Sequence, residues 1–183
     1  MKEYITKSQL RSFASEILAE DRKQLRKTAK TRSVSNATFL SHSSSDNDLV
    51  VGAIQILENH GAQVYIDEID TTLPSNTSKK TASVLKSRIR DSKKFVLLAT
   101  ENSLESNWVP WELGFADGVK DLPKIALFPA VETSYQISWT KREYMGLYQR
   151  IIWGDIKEYE NAMWIVLDEE NNTALPLRKW LDS

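Results

Sequence analysis

Ser103-Leu-Glu-Ser-Asn-Trp-Val-Pro-Trp-Glu-Leu-Gly-Phe-Ala-Asp-Gly118, entered from the apolar run Phe95-Val-Leu-Leu-Ala99, is the stretch whose reading decides the fold. The run is short and bounded by polar residues, as a buried strand is. A helix follows, with Ser106 or Asn107 as its expected N-cap. Pro110 falls in the first turn under either cap, where backbone N–H groups have few intrahelical partners to lose, so it marks a start and not a break. Trp108 and Glu112 are then i and i+4 on one face, with Trp111 and Phe115 a second such pair beside them. A carboxylate beside two indoles at the carboxyl end of a strand is where open α/β sheets place their ligands. Aromatics at helical spacing also serve as plain core, and a glutamate near a helix N-terminus also serves merely to complement the dipole. Gly114 and Gly118 weigh against that reading. Glycine inside a helix costs about 1 kcal/mol against alanine, which suggests close packing or access at the site.

Outward from this stretch the pattern alternates. Upstream lie a strand at Ala37–Leu40, a polar loop Ser41-His-Ser-Ser-Ser-Asp46, a helix Asp46–His60 closed by Gly61, and a strand Ala62–Ile66. A loop of about eleven residues, Asp67 to Thr77, comes next, longer than most connections and so expected to have a function of its own. The helix Ser78–Asp91 precedes the Phe95 strand, and a strand Lys124–Phe128, ended by Pro129, follows the central helix Trp108–Val119. The order βαβαβαβ predicts an α/β fold: a parallel sheet with right-handed crossovers and helices on both faces. Beyond Pro129 the expectations are a loop with a short helix over Val131–Tyr148, strands at Gln149–Ile152 and Met163–Leu167, a turn at Asn171-Asn172, and a closing helix Leu175–Leu181. Lys2 to Lys30 reads as an N-terminal amphipathic helix with Ile5, Leu10, Phe13, Ile17, Leu18 and Leu25 on its apolar stripe. Its basic run Arg22–Arg32 reads as a solvated face. Residues 1–33 are therefore expected to form this helix and a joint, and residues 34–183 the domain.

Composition narrows the chemistry. The chain has 183 residues, 41% hydrophobic and 27% charged, enough for a real core. A formal net charge of −1 gives no global pull toward nucleic acid or an anionic membrane, and neither is an expected partner. Cysteine is absent, which excludes disulfides, thiolate metal sites and a cysteine nucleophile. No apolar run approaches a membrane span and the N-terminus has no signal-peptide core, so a cytoplasmic location is expected. No Gly-rich phosphate loop follows a strand. His42 and His60 sit on different elements and no metal is expected; His60 reads as a cation at a helix C-terminus. A Ser41, His42, Asp46 triad can be written on paper, but no nucleophile elbow accompanies it.

Phe39-Leu-Ser-His-Ser-Ser-Ser-Asp46, the Val64-Tyr-Ile-Asp67 strand with its long loop, and Trp108-Val-Pro-Trp-Glu-Leu-Gly114 together resemble the Toll/interleukin receptor (TIR) domain in its bacterial form. The resemblance covers about Asn36 to Phe128. It implies a flavodoxin-like sheet and, in catalytic members, cleavage of the nicotinamide–ribose bond of NAD+. The family's catalytic glutamate, four residues after a helix-starting tryptophan, matches Glu112. Its substrate contacts match Phe39, Ser41 and His42 at the end of the first strand and Trp111 before the glutamate, with Trp108 a further aromatic face. The loop beginning at Asp67, with Asp70, Leu73 and Pro74, resembles the family's assembly loop. Self-association through the domain is implied, as is a downstream effector that reads a nucleotide signal, as in bacterial anti-phage defence. No cofactor is implied beyond NAD+ as substrate. The Arg-Asp-x-x-Pro-Gly pattern of animal adaptors is absent, which favours the enzymatic over the adaptor role.

The implied chemistry suits the residues. Nicotinamide departs neutral from a cationic N-glycoside and needs no general acid, leaving an oxocarbenium-like ribose that one ionised carboxylate can stabilise. The helix N-terminus is expected to keep Glu112 ionised. Water as acceptor gives ADP-ribose; a hydroxyl or ring nitrogen of the same molecule gives a cyclic ADP-ribose isomer. Two alternatives predict different outcomes: a scaffold that turns over no NAD+, and a nucleoside deoxyribosyltransferase-like enzyme that accepts nucleosides lacking a pyrophosphate.

Overall fold

The computed structural model describes residues 2–67, 79–133 and 143–183. Its elements in chain order are β1 (Lys2–Glu3), β2 (Ile5–Thr6), α1 (Lys7–Ser15), α2 (Ala19–Thr31), β3 (Thr38–Ser41), α3 (Asn47–Asn59), β4 (Val64–Tyr65), α4 (Lys79–Asp91), β5 (Lys94–Ala99) and α5 (Glu101–Glu105). They continue with α6 (Val109–Val119), β6 (Ile125–Val131), β7 (Gln149–Gly154), β8 (Met163–Asp168), β9 (Thr173–Pro176) and α7 (Leu177–Asp182). The sheet runs β4-β3-β5-β6-β7-β8-β9. β4 through β7 are parallel, and β8 and β9 return antiparallel as an edge hairpin. The expected parallel α/β sheet is present with this mixed edge added. Asn172 takes a left-handed φ of 49° in the turn that joins the hairpin.

The central strands are apolar throughout because both faces are covered. Along β5, Val96 and Leu98 face one cluster with α3 and Leu10, while Phe95, Leu97 and Ala99 face Leu85 and Ile89 of α4 and Val109, Leu113 and Ala116 of α6. Each such valine, leucine, isoleucine or phenylalanine contributes roughly 1.5–3 kcal/mol by burial. Gly61 ends the α3 segment with φ +98°, the left-handed conformation that glycine tolerates. At the amino-terminal edge, α7 closes the sheet: the Trp180 indole donates to Pro123 O at 2.8 Å, and Lys94 at the start of β5 lies over the Trp180 ring.

Two expectations change. Residues 2–30 do not form one helix. Residues 2–6 enter the sheet, β1 antiparallel to β7 and β2 parallel to β6, at the end where β6 and β7 have parted after pairing only at Ala126 and Leu127. The Thr6 side chain then starts α1 with a capping box, and the helix stops before Leu18, which is 75% exposed and off the apolar stripe. α2 follows as a separate helix and covers the free edge of β4: Ile66 N–H donates to Ala29 O at 3.2 Å and Arg32 donates to Val64 O at 2.9 Å. Second, Pro129 does not end its strand. β6 passes through it, paired with Ala99, to reach Val131. Among the described residues no helix is long and apolar enough to cross a membrane.

Candidate active site

The site is assembled by α6 at the carboxyl end of β3. The N-cap is Trp108 and not Ser106 or Asn107 as expected; the Ser106 Oγ, at the end of α5, accepts from the N–H of Trp108 at 3.2 Å and of Val109 at 3.3 Å, and Pro110 sits at the second helical position. Val109, Glu112, Leu113 and Ala116 are the buried residues of α6. At offsets of three, four and seven they form one stripe toward the sheet, so Glu112 is a carboxylate set among apolar neighbours. It is 7% exposed, and the hydroxyl of Ser41, the last residue of β3, donates to its Oε2 in a short bond. Burial pushes the Glu112 carboxyl up to about 8; the Ser41 bond opposes that shift and the charge of Asp67 adds to it. The expected ionisation by the helix N-terminus is thus corrected: loss of solvent outweighs the dipole.

Asp67 reaches the same place from the next strand. Thr38 pairs with Val64 and Phe39 with Tyr65, where the ladder ends, and Asp67 follows two residues beyond it, close enough for its charge to act on Glu112. Phe39 and Tyr65 pack on the α4 and α6 side of the sheet, and the two-residue period turns Ser41 and Asp67 to that side as well. The Asp67 carboxylate accepts from Arg88 Nη1 at 2.5 Å and, at 3.4 Å, from the Tyr65 hydroxyl, whose pKa burial raises. The Arg88 guanidinium also lies 5.5 Å from the Tyr65 ring centroid.

The remaining expected residues divide. Trp108 and Trp111 are part-buried, meet edge to face at 5.3 Å, and Trp111 stacks on Phe115 at 6.0 Å. Lys86 of α4 stands over both Trp111 and Phe115. Phe39 is 1% exposed between Tyr65 and Phe95, so its ring supports the site from within the core. His42 is part-buried, its Nδ1 3.4 Å from Leu40 O. Ser41, His42 and Asp46 do not form a triad: Ser41 goes to Glu112, while Asp46, 1% exposed, accepts from Thr100 Oγ1 at 2.5 Å and Asn102 Nδ2 at 2.6 Å. These bonds tie the loop after β3 to the start of α5. His60 Nδ1 lies 2.7 Å from Ile56 O at the end of α3. Asp70, Leu73 and Pro74 lie outside the described residues.

Gly114 and Gly118 are exposed and a Cβ at either would meet nothing within 4 Å, so neither is required by packing. Gly52 is the close-packed one: a Cβ there would lie 2.2 Å from the Leu10 carbonyl oxygen, where α1 crosses α3. Sequence reading missed Arg88, the Asp67 ion pair and the Asp46 bonds. Nothing in the sequence marks which acid Arg88 takes.

The sequence pattern of the TIR domain matches residues 38–166. A Bacillus cereus (strain MSX-D12) protein named "Probable 3′ cyclic ADP-D-ribose synthase ThsB′" is 37% identical over 146 residues, covering 78% of this chain and 74% of that protein. A Cytobacillus dafuensis protein named "Putative cyclic ADP-D-ribose synthase TIR2" is 36% identical over 81 residues, covering 43% of this chain and 21% of that protein. With a parallel sheet in the order β4-β3-β5-β6-β7 and a match across most of its length, the chain belongs to the TIR domain family.

Proposed function

We propose that the protein cleaves the nicotinamide–ribose bond of NAD+ and returns a cyclic ADP-ribose isomer, with ADP-ribose as the hydrolytic by-product, as a signal in defence against phage. The observation that carries the proposal is the Glu112 carboxyl on the Ser41 hydroxyl at the carboxyl edge of the sheet. The name of the Bacillus cereus relative supports the cyclic product. Cleavage needs a fixed negative charge beside the anomeric carbon as nicotinamide departs. Glu112 supplies it once ionised, and the cationic nicotinamide riboside brought against it lowers its pKa and favours that form. Ser41, donating to the carboxylate, stabilises the charged state and fixes its direction. Trp108 offers an indole face one helical turn before Glu112 for the departing ring.

The same carboxylate, relieved of the oxocarbenium, takes the proton of the hydroxyl or water that attacks the ribose. In this reading the chains self-associate, the segment that begins at Asp67 completes the site of a neighbour, and the isolated chain is weakly active. The enclosure of Glu112 favours a second reading, a docking module without turnover, because a buried protonated Glu112 is held by its own chain. Incubating the protein with NAD+ and, separately, with deoxynucleosides over a range of protein concentrations, and resolving products by mass spectrometry, separates the readings. Nicotinamide with a cyclic ADP-ribose isomer is expected. No product from NAD+ at any concentration would establish the docking module, and base exchange on deoxynucleosides would replace the proposed substrate.

A further inference from the structure

Beside Asp67, the end of β4 and the first three turns of α4 enclose a cleft of about 240 Å³ lined by Asp67, Lys80, Thr81, Val84 and Arg88. Lys80, Val84 and Arg88 recur every four residues and so share one helix face. α4 is strongly basic in a chain of net charge −1: Lys79, Lys80, Lys86, Arg88 and Arg90 stand against Asp91. Lys86 and Arg90 lie over the rings of Trp111 and Phe115, which leaves Lys80 and Arg88 as the cations lining the cleft. The Arg88 side chain is 40% exposed and meets Asp67 through Nη1. A guanidinium has five N–H donors in a planar fork, so it can hold a phosphate oxygen while Asp67 keeps it in place. Asp67 lies close enough to Glu112 for its charge to act there, and it holds Arg88 of the cleft, so the cleft opens near the carboxyl that Ser41 holds. A second cavity, lined by Lys7, Ala99, Thr100, Glu101, Ala130, Val131 and Glu132, has about 20 Å³, room for a single water. Its lysine is already paired with Glu132 at 2.7 Å.

We propose that the cleft between β4 and α4 is the diphosphate subsite of the dinucleotide, with Lys80 and Arg88 holding phosphate oxygens one ribose away from Glu112. The proposal rests on the reading of Glu112 given above and assigns the other half of the same substrate. Val84 supplies apolar surface for the sugar, and the basic helix concentrates anions at the mouth of the cleft, more weakly as salt rises.

Steady-state release of nicotinamide from NAD+ and from nicotinamide riboside, which lacks the diphosphate, tests it in the full chain and in Lys80→Gln and Arg88→Lys. Losing one charge-assisted contact corresponds to about a tenfold fall in the ratio of kcat/KM for NAD+ to that for the riboside, carried mainly by KM. A change in Asp67 or Glu112 electrostatics moves both substrates and cancels in the ratio. Inorganic pyrophosphate is expected to inhibit NAD+ cleavage competitively and to bind several-fold more weakly to both variants by calorimetry. An unchanged ratio in both variants, with both substrates cleaved, overturns the subsite alone. If the unaltered protein cleaves neither substrate, the glutamate reading fails; the subsite then stands only if pyrophosphate binds and both substitutions weaken it, and falls otherwise.

Discussion

A carboxyl in the core-facing stripe of α6 makes folding stability depend on pH. The unfolded Glu112 titrates near its ordinary value of 4.5 and the folded one near about 8. Between those values the unfolded chain has lost a proton that the native chain keeps, so the contribution is full below the first and falls as pH rises to the second. Glu112→Gln removes this term. Thermal or urea unfolding should find the variant more stable by on the order of 2–4 kcal/mol at pH 9 and nearly unchanged at pH 4. The same substitution is expected to abolish nicotinamide release, measured by chromatography, because size is kept and charge is lost. For the unaltered protein, kcat/KM for NAD+ should rise about tenfold per pH unit from pH 6 and level near pH 8, since that ratio reports the free protein's ionisation. A flat profile over that range would show that another group limits the reaction. Ser41→Ala removes a bond to the charged form worth roughly 1.5 kcal/mol and should lower kcat/KM at pH 7 about tenfold.

At the scale of elements, the glycines separate packing from propensity. Gly52→Ala drives a methyl group into the backbone of α1 at Leu10, and backbone cannot swing aside as a side chain can. Gain in helix propensity of about 1 kcal/mol only partly offsets the overpacking, so a net loss of up to about 2 kcal/mol is expected. Gly118→Ala meets open space and should raise stability by about 0.5–1 kcal/mol. Denaturant unfolding of the two variants measures both; equal and positive changes would mean that α1 does not press on α3 as described. The pairs Trp108/Glu112 and Trp111/Phe115 were legible in the sequence, but not the stripe Val109, Glu112, Leu113 and Ala116 that faces the sheet. Spacing alone does not separate the two, because i and i+4 neighbours share a face whether that face looks inward or outward.

At the scale of the molecule, the N-terminal segment fastens the sheet in three places: between the parted ends of β6 and β7, across α3 through Leu10, and along the edge of β4 through α2. A chain beginning at residue 34 would expose the groove that Leu10 and Ala29 fill, both fully buried, and leave the β4 edge uncovered. Its Tm should fall by at least about 10 °C, or its transition lose cooperativity, in calorimetry. An unchanged Tm would make the segment a dispensable appendage. Initial rates that rise faster than linearly with protein concentration are expected if neighbours complete one another's sites. Strict linearity with a monomer by light scattering would contradict self-association.

Local pattern by itself determined the alternation of strands and helices, the parallel core of the sheet and the turn of α6 that bears Glu112. Each of these depends on periodicity, capping and strand length, which are properties of neighbours in the chain. Only the tertiary structure decided that Glu112 lies under Ser41 and holds its proton near neutrality, that Asp67 joins Arg88, and that residues 2–6 become strands. Desolvation and ion pairing depend on which residues meet across the fold, 71 positions apart for Ser41 and Glu112, and a two-residue strand has too short a period to announce itself before its partners are in place.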